Sequence, residues 1–327
     1  MREIDISSID GFRVGHASDH KAATGCSVVI CEKGAVGGVD VRGGAPGTRE
    51  TDLLRSENLV ESVHAIFLAG GSAFGLAAGS GIMDFFEEKR IGFDTGAGRV
   101  PIVPGAILYD LQVGDSKRRP DQLMGYEACV DAYDSHEIKT GNFGAGTGAS
   151  IGKVLGPEQA MKGGIGSYAL QAADIQIGAL VAVNSFGDIM DPETGKLIAG
   201  VYEKESLELL STENILIKQI KTADPNRFSG NTSIGVIMTN AKLSKAQANK
   251  IASIAHDGFA RTMRPSHTLI DGDSLFLMAT GEVEADVNTI GLLAAKVVEQ
   301  AVLRGVRDTT SAYSLLSYRD LQKRRKA

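Results

Sequence analysis

The chain has 327 residues, 43% hydrophobic and 23% charged, the balance of a globular protein with enough apolar material for a large core. Its net charge of −6, with no basic run beyond Lys323-Arg324-Arg325-Lys326, argues against nucleic acid as a partner. No stretch reaches the ~18 consecutive apolar residues that span a bilayer, and the charged start Met1-Arg2-Glu3-Ile4-Asp5 lacks the apolar segment of a secretory signal.

Three cysteines, Cys26, Cys31 and Cys129, have no metal-like spacing; Cys26 and Cys31 sit in an apolar run and read as core residues. An odd count without a leader predicts a cytoplasmic protein with reduced thiols. The 40 glycines predict many tight turns and close backbone approaches.

In chain order, Val28–Ile30 reads as a short strand after a turn at Gly25. Residues 37–52 form a glycine-dense loop carrying Asp40, Arg42, Arg49, Glu50 and Asp52, which brings backbone close to something and surrounds it with charge. Ala65–Ala69 reads as a buried strand, and Gly70-Gly71-Ser72 opens a helix with Ser72 as its expected N-cap. The helix is predicted from Phe74, Ala77, Ala78, Ile82, Phe85 and Phe86 at helical spacing. Val100–Pro104 is extended by its prolines, and a helix follows near Tyr126–His136.

The segment Gly141–Ala149 fits a relaxed dinucleotide fingerprint, but a helical rather than a strand pattern precedes it, so the required context fails. Residues 162–168 turn into a strand. Ile175–Asn184 is a second strand, with Asn184 at its C-terminal end. Residues 203–222 show helical spacing.

Asp224-Pro225-Asn226 then marks a turn before Ser229-Gly230-Asn231-Thr232-Ser233, which runs into the apolar strand Ile234–Asn240. Thr232 thus stands where a loop becomes a strand. A hydroxyl is a weak nucleophile and needs a base. Cutting the chain before Thr232 would supply one, since a freed α-amine has a reference pKa of ~7.7–8.0.

Beyond the strand, Ser244 is the predicted N-cap of a helix with Ala248, Ile251, Ile254, Ala255, Phe259 and Met263 as its apolar stripe. Residues 268–273 form a turn carrying Asp271 and Asp273, Ser274–Thr280 is a strand, and a final helix covers about 286–304. With no clear linker or repeat, a single α+β unit is the simplest account.

Other motifs fail on inspection. The six histidines make no His-x-x-x-His or His-Glu-x-x-His pair, so a zinc site is not expected and each reads as an ordinary surface or core histidine. Asp271-Gly272-Asp273 with Glu282 has the ends of a calcium loop, but Leu275 and Phe276 occupy positions that need a polar ligand and a glycine. Neither a metal nor a cofactor is expected. What remains is a set of polar residues at strand ends: Asn184, Thr232, Asp271 and Asp273. Acyl transfer needs a nucleophile, a base, an oxyanion donor and an orienting acid, and these residue types fill those roles.

Several blocks, in order along the chain, carry a resemblance. They are VDVRGGAPGTRETDLL (39–54), GGSAFGLAA (70–78), VPIVPGAILYDL (100–111), GNFGAGTGA (141–149), KGGIGS (162–167), GNTSIGVIMTNA (230–241) and DGDSLF (271–276). Together they resemble the P1 family of self-processing aminopeptidases, the DmpA-like peptidase family S58, with its L-aminopeptidase/D-esterases and β-peptidyl aminopeptidases. The resemblance implies a four-layer αββα sandwich, shared with the ornithine acetyltransferases. It implies self-cleavage at Asn231–Thr232 into fragments 1–231 and 232–327, with Thr232 as nucleophile.

By the same resemblance Asn184 is the oxyanion donor, Asp273 the retained acid, and Asp271 stands where the family has serine. Asp115, in VGDSK (113–117), matches the acid that holds a substrate's free amine, with Lys117 in the place of a tyrosine. The implied partners are small peptides or amino-acid amides and esters, and the implied assembly is a homo-oligomer of processed αβ units. Two competing readings are acyl transfer to an amine, as in the ornithine acetyltransferases, and an unprocessed scaffold on the same fold.

Overall fold

The computed structural model describes residues 1–135, 137–221 and 230–326. Its pivot is one long strand, Thr24–Val41, far longer than the three residues the apolar pattern marks. The first half of this strand pairs antiparallel with Arg13–Asp19 and with Ser62–Ala69; the second half, Val36–Val41, pairs antiparallel with Ser274–Ala279. Its pairing with Ser62–Ala69 shifts register between Ile30 and Ala35. The strand thereby belongs to both halves of a ten-stranded sheet. One half runs Arg2–Ile4, Gly164–Ala172, Ile175–Val183, Ile234–Ala241 and Ser274–Val283. The other continues through Ser62–Ala69, Gly105–Ile107 and Thr48–Arg49.

Three apolar cores show how the halves stack. Cys26, Val28, Ile30, Ala65, Phe67 and Ala69 face helices α1 (Ala78–Glu88) and α2 (Gln122–Asp134). The alternate residues Val29, Cys31, Ile66 and Leu68 pack instead on Leu180, Ala182, Ile234, Val236, Met238, Phe276 and Met278 from the other half. The outward residues of that second half, including Ile177, Ala179, Val181, Ile237, Leu275 and Leu277, pack on two further helices. These are α4 (Lys245–Thr262) and α5 (Val287–Arg307), which follow the short α3 (Thr212–Lys218). Successive strand residues point to opposite faces, so each strand feeds two cores. The result is the αββα sandwich implied by the motifs.

Local chemistry explains most of the boundaries. Ser244 caps the start of α4, as the sequence predicts, and Gln247 completes a reciprocal capping box with it. The N-cap assigned to Ser72 is not found. Ser72 has φ 54° and opens a 3₁₀ turn, Ser72–Ala77, before α1 begins. Asp110 accepts the N–H of Gly71 at 2.7 Å and Leu108 O that of Ser72 at 3.0 Å, so the turn's donors are satisfied from a neighbouring loop. The helix expected over 203–222 is confined to α3 among the described residues. Buried Asp188 captures the N–H and hydroxyl of Thr212, and Ser211 caps the helix there. His136, the 224–226 turn and Ser229 lie outside the described residues.

The sheet register builds the site. Ile234–Ala241 and Ser274–Val283 run parallel with Ile234 beside Ser274, and Ala182 pairs with Ile234 from the antiparallel side. The residues just before the two parallel strands, Thr232 and 271–273, therefore meet the residue just after the antiparallel one, Asn184. No helix among the described residues is long and apolar enough to cross a membrane.

Candidate active site

Thr232 is 3% exposed at this junction. Its N–H donates to the backbone carbonyl of Asn184 at 2.9 Å, and its hydroxyl lies against the carbonyl oxygen of Asn231. Two glycines make the approach feasible. Gly230 has φ +57°, and a Cβ there would lie 2.0 Å from a ring carbon of Tyr109. A Cβ on Gly272 would lie 2.6 Å from the Thr232 hydroxyl. Side chains at either position would displace the segment that carries Thr232.

The Asn184 side chain is fixed by its neighbours. Its Oδ1 accepts the Ser150 N–H at 3.0 Å and the Lys153 ammonium at 2.8 Å. Its Nδ2 donates to Tyr109 O at 3.1 Å. Two donors on one side and a carbonyl on the other allow a single amide orientation.

Lys153 was not singled out in the sequence. It is buried, and it also donates to Gly230 O at 3.1 Å. Burial pulls its pKa down to about 7, against the opposing pull of Asp271 and then Asp110. Its single signal was a lone charge in the apolar, glycine-rich run Ile151–Leu155, where a lysine ordinarily reads as surface.

The two aspartates have different surroundings. Asp271 accepts the N–H and hydroxyl of Thr268 at 3.1 and 2.5 Å. Burial, and next the Asp273 charge, push its pKa up to about 6. Asp273 accepts the N–H of Ser233 at 2.9 Å on one oxygen. On the other it accepts the N–H and Nδ1 of His267, at 3.0 and 2.9 Å. The glycine-dense loop braces this turn from outside: Arg42 and Gly43 donate to Asp273 O and Ala45 to Asp271 O.

A second buried shell supports these groups. Asp110 accepts Thr24 Oγ1 at 2.7 Å as well as Gly71 N–H, and burial raises its pKa to about 6. Lys162, fully buried and lowered to about 7 by desolvation, donates to the carbonyls of Gly146, Ala149 and Gly163. It ties the Gly141–Ala149 loop to the strand behind Asn184, giving that glycine cluster a structural role.

Thr232, Asn184, Asp271 and Asp273 thus converge, as does Asn231. Asp115 is exposed, and its Oδ1 accepts the N–H of Lys117 within its own turn. Among the described residues no group of three or more His, Cys, Asp or Glu side chains is placed to hold a metal.

Known proteins share the family pattern and the fold. The model of peptidase family S58 matches residues 5–315. An uncharacterized aminopeptidase of Mycobacterium bovis is 41% identical over 97% of each chain. A 6-aminohexanoate-oligomer endohydrolase of a Kocuria species is 30% identical, covering 91% of this chain and 84% of its own. Among solved structures, the L-aminopeptidase D-Ala-esterase/amidase of Ochrobactrum anthropi superposes with a TM-score of 0.70. That match covers 98% of this chain and 92% of the other at 17% identity, and the structure is described as a variant of the Ntn-hydrolase fold.

Proposed function

The chain belongs to peptidase family S58, and we propose that it is a self-processing N-terminal-nucleophile aminopeptidase that cuts itself between Asn231 and Thr232. In the first stage Thr232 Oγ1 attacks the Asn231 carbonyl carbon. The C–N bond breaks, the nitrogen takes up a proton, and Asn231 is left as an ester on the hydroxyl. Water then hydrolyses the ester and frees both the Asn231 carboxylate and the Thr232 α-amine.

In the second stage that amine accepts the hydroxyl proton while Oγ1 attacks the substrate carbonyl. The amine stays on Asn184 O, its hydrogen-bond partner before cleavage. The second Nδ2 proton of Asn184 donates to the developing oxyanion. Lys153, pressed on Asn184 Oδ1, polarises that amide and strengthens it as a donor. Asp271 and Asp273 balance the charge of the protonated amine and of Lys153. The amine product leaves with a proton, and water releases the acyl group from Thr232.

The observation that carries this reading is the Thr232 hydroxyl lying against the Asn231 carbonyl, with its N–H on Asn184, where three strand ends meet. Its test is Thr232→Ala, which should give one uncut chain without activity on aminoacyl p-nitroanilides. Two fragments from that variant would sink the reading.

A second reading concerns the substrate. The endohydrolase relative supports cleavage of internal amide bonds in linear ω-amino-acid oligomers. Equal rates on N-acetylated and free 6-aminohexanoate oligomers would favour it over aminopeptidase action.

A further inference from the structure

We propose that His267 is a positioning residue, which aims the Asp273 carboxylate at the start of the strand that carries the nucleophile. The inference rests on Thr232 as nucleophile and adds a residue that neither the motifs nor the apolar pattern selected.

Asp273 is 2% exposed, and its carboxylate accepts three hydrogen bonds, two of them from His267. Both of these fall on Oδ2, so Oδ1 is left facing the N–H of Ser233, the residue after Thr232. One carboxylate therefore couples His267 to the nucleophile's own backbone. Asp271, two residues away, is a like charge that would turn Asp273 aside if the clamp were released.

The backbone of His267 is committed to this arrangement. Its φ is +57°, a region that residues other than glycine rarely occupy and that Asn tolerates best. Its ring is walled in by α4, with the His256 ring 4.8 Å away edge to face and the Phe259 ring 6.3 Å away. His256 is itself fixed, with Nε2 on Asp40 O at 3.0 Å. A carbonyl only accepts, so His256 carries its proton on Nε2. In the same way the Asp273 carboxylate requires the His267 proton on Nδ1. The wall sets the ring plane, the ring plane sets the carboxylate, and the carboxylate sets Ser233. A displacement of ~1 Å at a reacting group costs about 10²-fold in rate.

The test compares four variants for the half-time of self-cleavage, for kcat and KM on an aminoacyl p-nitroanilide, and for thermal midpoint. His267→Gly relieves the positive φ and keeps the backbone N–H but removes the ring. His267→Asn tolerates the same φ and puts an amide N–H where Nδ1 stood. His267→Gln has the same amide, but its reach matches Nε2. Thr232→Ala reports on the nucleophile itself. We expect His267→Gly to fold with kcat lowered 10- to 100-fold and KM within about twofold. His267→Asn should recover to within about fivefold of the parent, and His267→Gln should stay at least tenfold below His267→Asn. Parental kcat in His267→Gly, or equal rates in His267→Asn and His267→Gln, would overturn the proposal; the second comparison stands even if the glycine variant fails to fold. If Thr232→Ala is inert while His267→Gly is unaffected, only the positioning role fails. If Thr232→Ala still cuts itself, the nucleophile assignment fails with it.

Discussion

Replacing Gly272 by alanine adds one methyl group at the most crowded point of the site. That carbon would lie 2.6 Å from the Thr232 hydroxyl and 2.9 Å from Ala45 O. Ordinary non-bonded contact begins near ~3.5 Å, so about 1 Å must be found. Neither neighbour yields easily. Ala45 is held by its N–H on Asp271 O at 2.7 Å, and Thr232 is buried, β-branched and tied to Asn184 O. The movable element is the Thr232 side chain, which would swing off the Asn231 carbonyl. Overpacking of this kind costs ~1–3 kcal/mol of stability, which a fold with three large cores can absorb. Misplacing the hydroxyl by ~1 Å costs about 10²-fold in rate. A time course of intact mass after cell-free synthesis reads the effect directly. Gly272→Ala should remain uncut when the parent is fully processed, with a modest drop in thermal midpoint. Cleavage at the parental half-time would refute the reasoning that Thr232 acts from the position it holds here.

Further outcomes follow from the same geometry. Thr232→Ser keeps a hydroxyl and should still process, as read on a denaturing gel. Asn184→Ala in pre-cleaved protein should lower kcat by ~10²–10³, the usual effect of losing one oxyanion donor, and unchanged kcat would remove Asn184 from that role. Phe276→Ala, in the central core, should lower stability to urea by ~3–5 kcal/mol. For Lys153, the fold's pKa of about 7 lies below the unfolded value of ~10.4. Between those values the unfolded chain holds the extra proton, so stability rises with pH. In an uncut Thr232→Ala background, the parent should gain on Lys153→Met in thermal midpoint as pH climbs from 7 toward 10. A gap that does not change with pH would contradict burial of that amine.

The sequence is most readable where one strand or helix decides the outcome. The Thr232 strand, the N-cap at Ser244 and the final helix are legible because an apolar run, a cap residue and a 3.6-residue stripe are local signals. The Thr24–Val41 strand is not legible as one element, because its two halves serve different sheet partners across a register shift. Lys153, Lys162 and Asp110 were missed for a different reason. A charged residue in an apolar run carries no mark of being buried, and the carbonyls and carboxylates that make burial tolerable come from loops far along the chain. His267 reads as an ordinary histidine in the sequence because its partner, Asp273, is identified by a turn geometry that spacing does not reveal. Ser72 shows the converse: a good cap residue left unused because Asp110 and Leu108 already satisfy the turn.

The central claim is that the chain cuts itself before Thr232, and intact-mass analysis of the purified protein with N-terminal sequencing tests it most directly. The account predicts two co-purifying fragments, 1–231 and 232–327, the second beginning Thr-Ser-Ile-Gly. A single persistent 34.4 kDa species, or a cut at any other bond, would contradict it.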